Sequence, residues 1–242
     1  DAQADLLAFI RSGAVMTTTA AIDRVPSVTG QVQSGDWVTG LDEPWGLVFT
    51  GEGDALVTEK KGALRLIRNG TLVANAVSGT PQVFSAGQGG LLDVALDPDY
   101  AQNGWVYLAF SHPKEPGSGH AMTKIVRGKI VGDRWTDEQT VFQAKPEHYI
   151  SARVHFGGRI TFDEKGRLYF SIGDRGTKYH AQDVTVPNGK VHRVNRDGSI
   201  PEDNPFVDTD GAYPSIISYG NRNPQGLIIH PETGVLWETE HG

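Results

Sequence analysis

A hairpin-like pattern occurs four times along the 242-residue chain, and this internal repeat limits the fold more than any single motif. Each copy begins with glycine and a short apolar strand, turns through Asp, Glu, Pro or Gly, and returns as a strand rich in Val, Leu and aromatic residues. The copies are "PWGLVFTGEGDALVTEKKG" from Pro44, "GGLLDVALDPDYAQNGWVYLAFS" from Gly89, "FGGRITFDEKGRLYFSIGD" from Phe156 and "PQGLIIHPETGVLWETEHG" from Pro224. Their glycines lie 44, 68 and 68 residues apart, which leaves room for two more strands in each unit.

Four such units predict an all-β fold of the β-propeller type, with about four blades covered by this chain. Stretches between the repeats, such as "ALRLIRNGTLVANA", supply candidate outer strands. Residues 1 to about 28 do not repeat, and "ADLLAFIR" has apolar residues at helical spacing. We therefore predict an N-terminal arm or short helix over residues 1–28 and one propeller domain over residues 29–242.

Composition excludes several classes of partner and site. The net charge of −7 and the absence of like-charge runs argue against a nucleic-acid surface. Zero cysteines exclude disulfides, thiolate metal sites and cysteine nucleophiles. No apolar run approaches the roughly 20 residues of a membrane span. We therefore expect a soluble chain that binds neither nucleic acid nor a membrane.

Polar residues precede the first strand of successive repeats in equivalent places. They are Gln88, His155, and Arg222 with Asn223. The inner strands of a propeller converge on a central channel, so these side chains are expected to meet at its mouth. Asp174 ends the second strand of the His155 hairpin and should lie beside His155, because antiparallel strands place one strand's start beside its partner's end. A carboxylate bound to one imidazole nitrogen leaves the other free as a base.

The same residues lie in motifs that resemble one family, the soluble pyrroloquinoline quinone (PQQ)-dependent aldose sugar dehydrogenases, also called glucose/sorbosone dehydrogenase-like proteins. The motifs are "GQGGLLDVALDPDY", "HFGGRITFDEKGRLYFSIGDRG", "AQDVTVPNGKVHRVNRDGSIPEDNPF" and "YGNRNPQGLIIHPETGVLWETEHG". Four motifs in the family's order are far more specific than any one Gly-rich turn. The similarity covers roughly residues 40–242.

This resemblance implies a six-bladed propeller whose central mouth holds PQQ on a Ca²⁺ ion. It implies a quinoprotein oxidoreductase that converts the anomeric hydroxyl of an aldose to a lactone and passes the electrons to an external acceptor. His155 would be the general base and Asp174 its partner. Gln88, Arg222 and Asn223 would contact the quinone, where Arg222 would also stabilise developing negative charge. The carbonyl of Gly242 would bind Ca²⁺, a hard ion that prefers oxygen ligands.

The sequence departs from the family pattern in three respects, one of which is Val154 before His155, where a basic residue would be usual. The chain stops at Gly242, and the family continues with further blades that carry cationic cofactor contacts. We therefore expect the ring to be closed by a missing C-terminal segment or by a partner chain. His192 also stands where the family usually has an apolar residue. A periplasmic or secreted location is implied by the resemblance alone, whereas the preferred sugar, the natural acceptor and the oligomeric state are not readable from these residues.

Other interpretations are compatible with the residues alone. His155 could be a surface or turn residue, and Asp174 could form a turn with its own backbone. Arg222 could link blades, Gln88 could cap a strand edge, and Asn223 before Pro224 could start a turn. At the level of the whole chain, the alternative is a non-enzymatic propeller that acts as a sugar-binding or scaffold module. A propeller hydrolase is disfavoured, because several carboxylates around a calcium ion would be expected at the rim.

Overall fold

The computed structural model describes residues 35–242, and these residues form four antiparallel sheets. The first contains β1 (Pro44–Gly51), β2 (Asp54–Glu59), β3 (Leu64–Arg68) and β4 (Thr71–Leu72). The second contains β5 (Leu91–Leu96), β6 (Val106–Pro113), β7 (Ala121–Val131) and β8 (Arg134–Phe142). The third contains β9 (Ile160–Phe162), β10 (Leu168–Ile172), β11 (Lys190–Val194) and β12 (Ile216–Tyr219). The fourth consists of β13 (Pro224–Ile229) and β14 (Leu236–Glu240). The arm or helix predicted for residues 1–28 lies outside the described residues.

Each of the four sequence repeats forms the predicted hairpin. These hairpins are β1–β2, β5–β6, β9–β10 and β13–β14. The three complete sheets are meanders in chain order, as blades are, and the fourth holds only its first two strands. Helical structure is limited to α1 (Tyr100–Asn103) and two 3₁₀ turns, Pro146–His148 and Lys178–Gln182. The described residues therefore hold three complete blades and the inner hairpin of a fourth.

The first strand of each sheet lies beside the first strand of the next, since β5 contacts β1 and β9, and β9 contacts β13. Apolar side chains fill the space between sheets. One buried cluster joins the first two sheets through residues such as Leu56, Val94 and Trp135. A second cluster joins the second and third sheets through Tyr107, Phe142 and Phe170. This packing brings the starts of β5, β9 and β13 to one edge, where the predicted site residues lie.

Apolar side chains are exposed on both outermost sheets. On β1, Trp45, Leu47 and Phe49 are 39%, 47% and 38% exposed, and all three lie on the face opposite the buried Gly46. On the last hairpin, Ile228 and Trp237 are 46% and 60% exposed. Large apolar groups at the open ends of a row of blades are the surfaces that a neighbouring blade covers in a closed propeller. No helix within residues 35–242 is long and apolar enough to cross a membrane.

His192, the histidine at a usually apolar position, lies in the core of the third sheet. Its ring is fully buried and stacks on Phe170 at 4.9 Å between ring centroids. Nδ1 lies 2.9 Å from Ser215 Oγ, and Nε2 lies 2.9 Å from the carbonyl oxygen of Pro187. Burial lowers the pKa of His192 from 6.5 to about 3. The residue is therefore a neutral packing group that does not face the site.

The burial of His192 predicts a loss of stability in acid. Because its pKa is lower in the folded than in the unfolded state, the full stabilisation is present above pH 6.5 and is lost as pH falls towards 3. Between pH 7 and pH 5 this amounts to about 2 kcal/mol. Asp93, whose pKa burial raises to about 6, acts in the opposite direction, so the effect must be isolated by comparing variants.

Urea unfolding of the wild type and His192→Gln at pH 7 and pH 5 tests this prediction. Glutamine has polar groups for Ser215 and Pro187 but does not titrate. The stability difference between the two proteins should shrink by about 2 kcal/mol on going to pH 5. His120→Gln, in an exposed loop, serves as the control and should leave the pH dependence unchanged. A difference that is constant with pH would contradict the assignment of His192 as the acid-sensitive group.

Candidate active site

His155 and Asp174 form a direct hydrogen bond at the edge of the third sheet. His155 precedes β9, and Asp174 follows the end of β10 by two residues. Nδ1 of His155 lies 2.6 Å from Oδ1 of Asp174, and the two side chains are 13% and 6% exposed. Because a carboxylate can only accept, Nδ1 carries the proton, and in the neutral form of the ring the lone pair is on Nε2. No group within residues 35–242 forms a hydrogen bond with Nε2, so it is available as a proton acceptor.

Asp174 also accepts a hydrogen bond from the backbone N–H of Gly176, 2.7 Å from the same Oδ1 atom. The turn-forming and histidine-binding interpretations of Asp174 therefore hold together. The amide of Asp174 donates to the carbonyl oxygen of Arg222 at 2.7 Å, which ties the aspartate to the segment that precedes β13. Asp174 is thus held through its carboxylate by His155 and Gly176, and through its backbone by the segment that leads into the fourth sheet.

The backbone around His155 has an unusual conformation. His155 has a φ angle of 53°, in the left-handed region that costs roughly 1–2 kcal/mol for a residue other than glycine. Its amide donates to Oε1 of Gln88 at 2.7 Å. Gly157, with φ of 60°, approaches β10 so closely that a Cβ atom would lie 2.8 Å from the carbonyl oxygen of Ser171. Residues 156–159 are consequently not a strand, and β9 begins later than the motif suggests.

Asn223 and Arg222 complete the set of predicted residues. Oδ1 of Asn223 accepts from the amide of Gly157 at 3.1 Å and from the side chain of Gln225 at 3.1 Å. The Arg222 side chain extends along the end of β14, where Nη1 donates to the carbonyl oxygen of His241 at 2.7 Å. A Cβ atom on Gly242 would lie 3.2 Å from Cδ of Arg222, so the predicted calcium ligand is adjacent to the aliphatic part of the Arg222 side chain.

All the predicted site residues are therefore brought together by direct contacts, although they come from three sheets. The amide side chains have a divided role. Gln88 and Asn223 use their oxygen atoms to hold the backbone of residues 155 and 157, and their NH₂ groups have no hydrogen-bond partner within residues 35–242. These donors and the guanidinium of Arg222 suit the carbonyl oxygens of a quinone or an anion. The arrangement can thus bind an oxygen-rich group beside the imidazole of His155.

The next question is which side chains could bind a metal ion. Within residues 35–242, no group of three or more His, Asp or Glu side chains could hold one. Glu240, two residues before Gly242, is engaged elsewhere, because its Oε2 accepts from the amide of Arg222 at 2.6 Å. Burial and the charge of Glu240 raise the pKa of the neighbouring Glu238.

Sequence reasoning missed Arg175, which follows Asp174 directly. The residue is fully buried, and its guanidinium contacts the segment that carries His155. The available signal was an arginine between Asp174 and Gly176 in a Gly-rich turn, a pattern that by itself also fits an exposed loop residue.

Known proteins resemble this chain in both sequence and fold. Residues 41–242 match the family model described as Glucose / Sorbosone dehydrogenase. The aldose sugar dehydrogenase YliI of Escherichia coli (strain K12) is 41% identical over 205 residues, which are 84% of this chain and 54% of that protein. The crystal structure of the soluble aldose sugar dehydrogenase from Escherichia coli in the apo-form superimposes with a TM-score of 0.78 at 40% identity, covering 84% of this chain and 58% of that one.

A third protein is the aldose sugar dehydrogenase from Streptomyces coelicolor, solved in its PQQ-bound form. It has a TM-score of 0.71 and 33% identity, and the match covers 85% of this chain and 58% of that one. This chain therefore spans a little over half the length of these relatives. Together with the four antiparallel sheets, the similarity confirms the predicted all-β propeller class. The chain belongs to the glucose/sorbosone dehydrogenase family.

Proposed function

We propose that the protein oxidises the anomeric hydroxyl of an aldose to a lactone, with PQQ and Ca²⁺ as cofactors and an external electron acceptor. The observation that carries this proposal is the hydrogen bond of 2.6 Å between Nδ1 of His155 and Asp174, which leaves Nε2 as an available base. The sugar dehydrogenase names of the relatives and the PQQ-bound neighbour support it.

In this reaction His155 removes the proton of the C1 hydroxyl at Nε2. The C–H bond at C1 breaks and its electron pair leaves as hydride, while the C1–O bond becomes the carbonyl of the lactone. Asp174 stabilises the positive charge that the imidazole acquires, because its carboxylate binds the Nδ1 proton. When bound, PQQ supplies the carbon that accepts the hydride, and a Lewis acid at its oxygen makes that carbon more electrophilic.

The residues present fit the quinone edge of such a cofactor. The NH₂ groups of Gln88 and Asn223 and the guanidinium of Arg222 would donate to its oxygens, and Arg222 would stabilise the charge gained on reduction. The carbonyl oxygen of Gly242, next to Arg222, would contribute one oxygen ligand to Ca²⁺.

We further propose that additional blades close the ring, supplied either by sequence beyond this chain or by a partner chain. The exposed Trp45, Leu47 and Phe49 at one end, and Ile228 and Trp237 at the other, would then become buried. A periplasmic or secreted location is proposed on the strength of the family resemblance.

Reconstitution of the full-length protein with PQQ and Ca²⁺ tests the proposed function. Dye reduction should depend on both additions and on an aldose, and glucose deuterated at C1 should react more slowly if hydride leaves that carbon. Sugar binding without turnover would favour the alternative of a sugar-binding or scaffold module. No binding of PQQ to the folded, full-length protein would overturn the proposal.

A further inference from the structure

Arg175 is a buried cation without a carboxylate partner within residues 35–242. Its guanidinium instead donates to three backbone carbonyl groups. Nε donates to Val154 at 2.9 Å, Nη1 donates to Ala121 at 2.7 Å, and Nη2 donates to Ala152. The guanidinium carbon also lies 3.6 Å from the centroid of the Phe156 ring. Three of the contacted residues lie in the loop that carries His155: residues 152 and 154 precede the histidine, and residue 156 follows it.

Such a placement is costly, since an unpaired charge loses its hydration on burial. Burial lowers the pKa of Arg175 to about 9, far below the usual value for arginine. Five N–H donors in a planar fork allow one guanidinium to bind several carbonyls at once, which a lysine ammonium cannot do with the same geometry. The hydrogen bonds to backbone carbonyls therefore offset part of the cost of burying the charge, and they also order the segment that contains residues 152–154.

That segment needs external support. Residues 151–159 form no helix or strand, and His155 has a left-handed φ angle of 53°. Conformations of this kind persist only when the surroundings fix them. Arg175 binds the carbonyl of Val154 and stacks on Phe156, the two residues that flank His155. The hydroxyl of Thr123 adds one bond to the carbonyl oxygen of Phe156 at 2.6 Å.

Asp174 and Arg175 therefore hold His155 in two complementary ways. Asp174 binds the imidazole, and Arg175 binds backbone carbonyls that precede His155 and packs on the ring of Phe156 that follows it. From this geometry we propose that Arg175 is a positioning residue, which fixes the loop so that Nε2 of His155 faces the substrate. This inference rests on the proposed function, in which His155 is the base.

The variants Arg175→Lys and Arg175→Gln test the inference in the full-length protein. We expect kcat for aldose oxidation to fall about 10- to 100-fold, because misplacement of a base by about an ångström has effects of that size. The KM for sugar and the affinity for PQQ should change less than threefold, since the Arg175 side chain is fully buried beneath the loop. Hydrogen exchange should become faster over residues 151–157.

Arg196→Lys is the matched control. Arg196 bonds Asp97 at 3.1 Å and Asp99 at 2.5 Å beyond the opposite ends of the strands, far from His155. This variant removes the guanidinium that binds the two carboxylates. Both kcat and the exchange rate of residues 151–157 should stay at the wild-type values. A general loss of stability would affect both sites alike, whereas a positioning role affects only Arg175.

A second readout does not depend on turnover. The Nδ1 proton of His155, held by Asp174, should give a low-field imidazole signal in proton NMR, assigned by its absence in His155→Asn. We expect this signal to broaden or vanish in Arg175→Lys and to persist in Arg196→Lys. If the wild type fails to oxidise aldoses, the proposed function is wrong, and the NMR signal and hydrogen exchange still test the role of Arg175. If the wild type is active, folded Arg175 variants that keep its kcat overturn the inference. If it is inactive, the inference is overturned when the variants leave the NMR signal and the hydrogen exchange of residues 151–157 unchanged.

Discussion

His155→Asn is expected to lower kcat for aldose oxidation by about 10²- to 10⁴-fold, the usual contribution of a positioned general base. Among residues other than glycine, asparagine is one of those that best tolerate the left-handed φ of 53°, so the loop should keep its conformation. The amide of residue 155 can still donate to Gln88. Dye-linked turnover with PQQ and Ca²⁺ measures the loss, and fluorescence titration with PQQ should show that the cofactor still binds.

Two comparisons make this result specific. His120→Asn, in an exposed loop, should retain wild-type turnover. His155→Ala should lose as much activity as His155→Asn, because neither side chain can accept the hydroxyl proton at the position of Nε2. Turnover of His155→Asn within threefold of the wild type, with normal PQQ affinity, would show that another group is the base.

Much of the fold followed from the sequence because antiparallel pairing is local. Each repeat places an apolar strand, a turn and an alternating strand within about 20 residues, and each formed a hairpin. The same pairing rule predicted that Asp174 lies beside His155, and the bond of 2.6 Å agrees with it. The roles of these residues in catalysis stay predictions.

Other features of the site depend on contacts between sheets, which no local pattern reveals. Gln88 binds the backbone of His155 through its oxygen, and Arg175 binds the carbonyl of Ala121 at the start of β7. Both contacts require the second and third sheets to be packed side by side. An arginine in a Gly-rich turn does not itself indicate burial, so its place beneath the His155 loop emerged only from the packing.

Asp174→Asn is expected to reduce kcat by about 10²-fold or more while the KM for sugar changes little. The amide oxygen of asparagine can still accept from Gly176 and from Nδ1 of His155, so the turn should be preserved. The negative charge is lost, however, and the imidazole becomes positive when it takes the proton of the hydroxyl. The loss should therefore appear in the chemical step, measured by single-turnover reduction of the bound quinone.

Asp183→Asn separates this effect from the turn itself. Asp183 is exposed, and its Oδ1 atom accepts from the amide of Thr185 at 2.9 Å, the same two-residue spacing by which Asp174 binds Gly176. Since the Asp183 carboxylate forms its hydrogen bonds with Thr185 and none with a histidine side chain within residues 35–242, Asp183→Asn should oxidise aldoses at the wild-type rate. Equal losses in both variants would mean that the carboxylates act only by shaping their loops, and Asp174 would then be a turn residue. If only Asp174→Asn loses activity, the reaction needs the negative charge of Asp174 at Nδ1 of His155, because the two substitutions remove the same group from the same kind of turn.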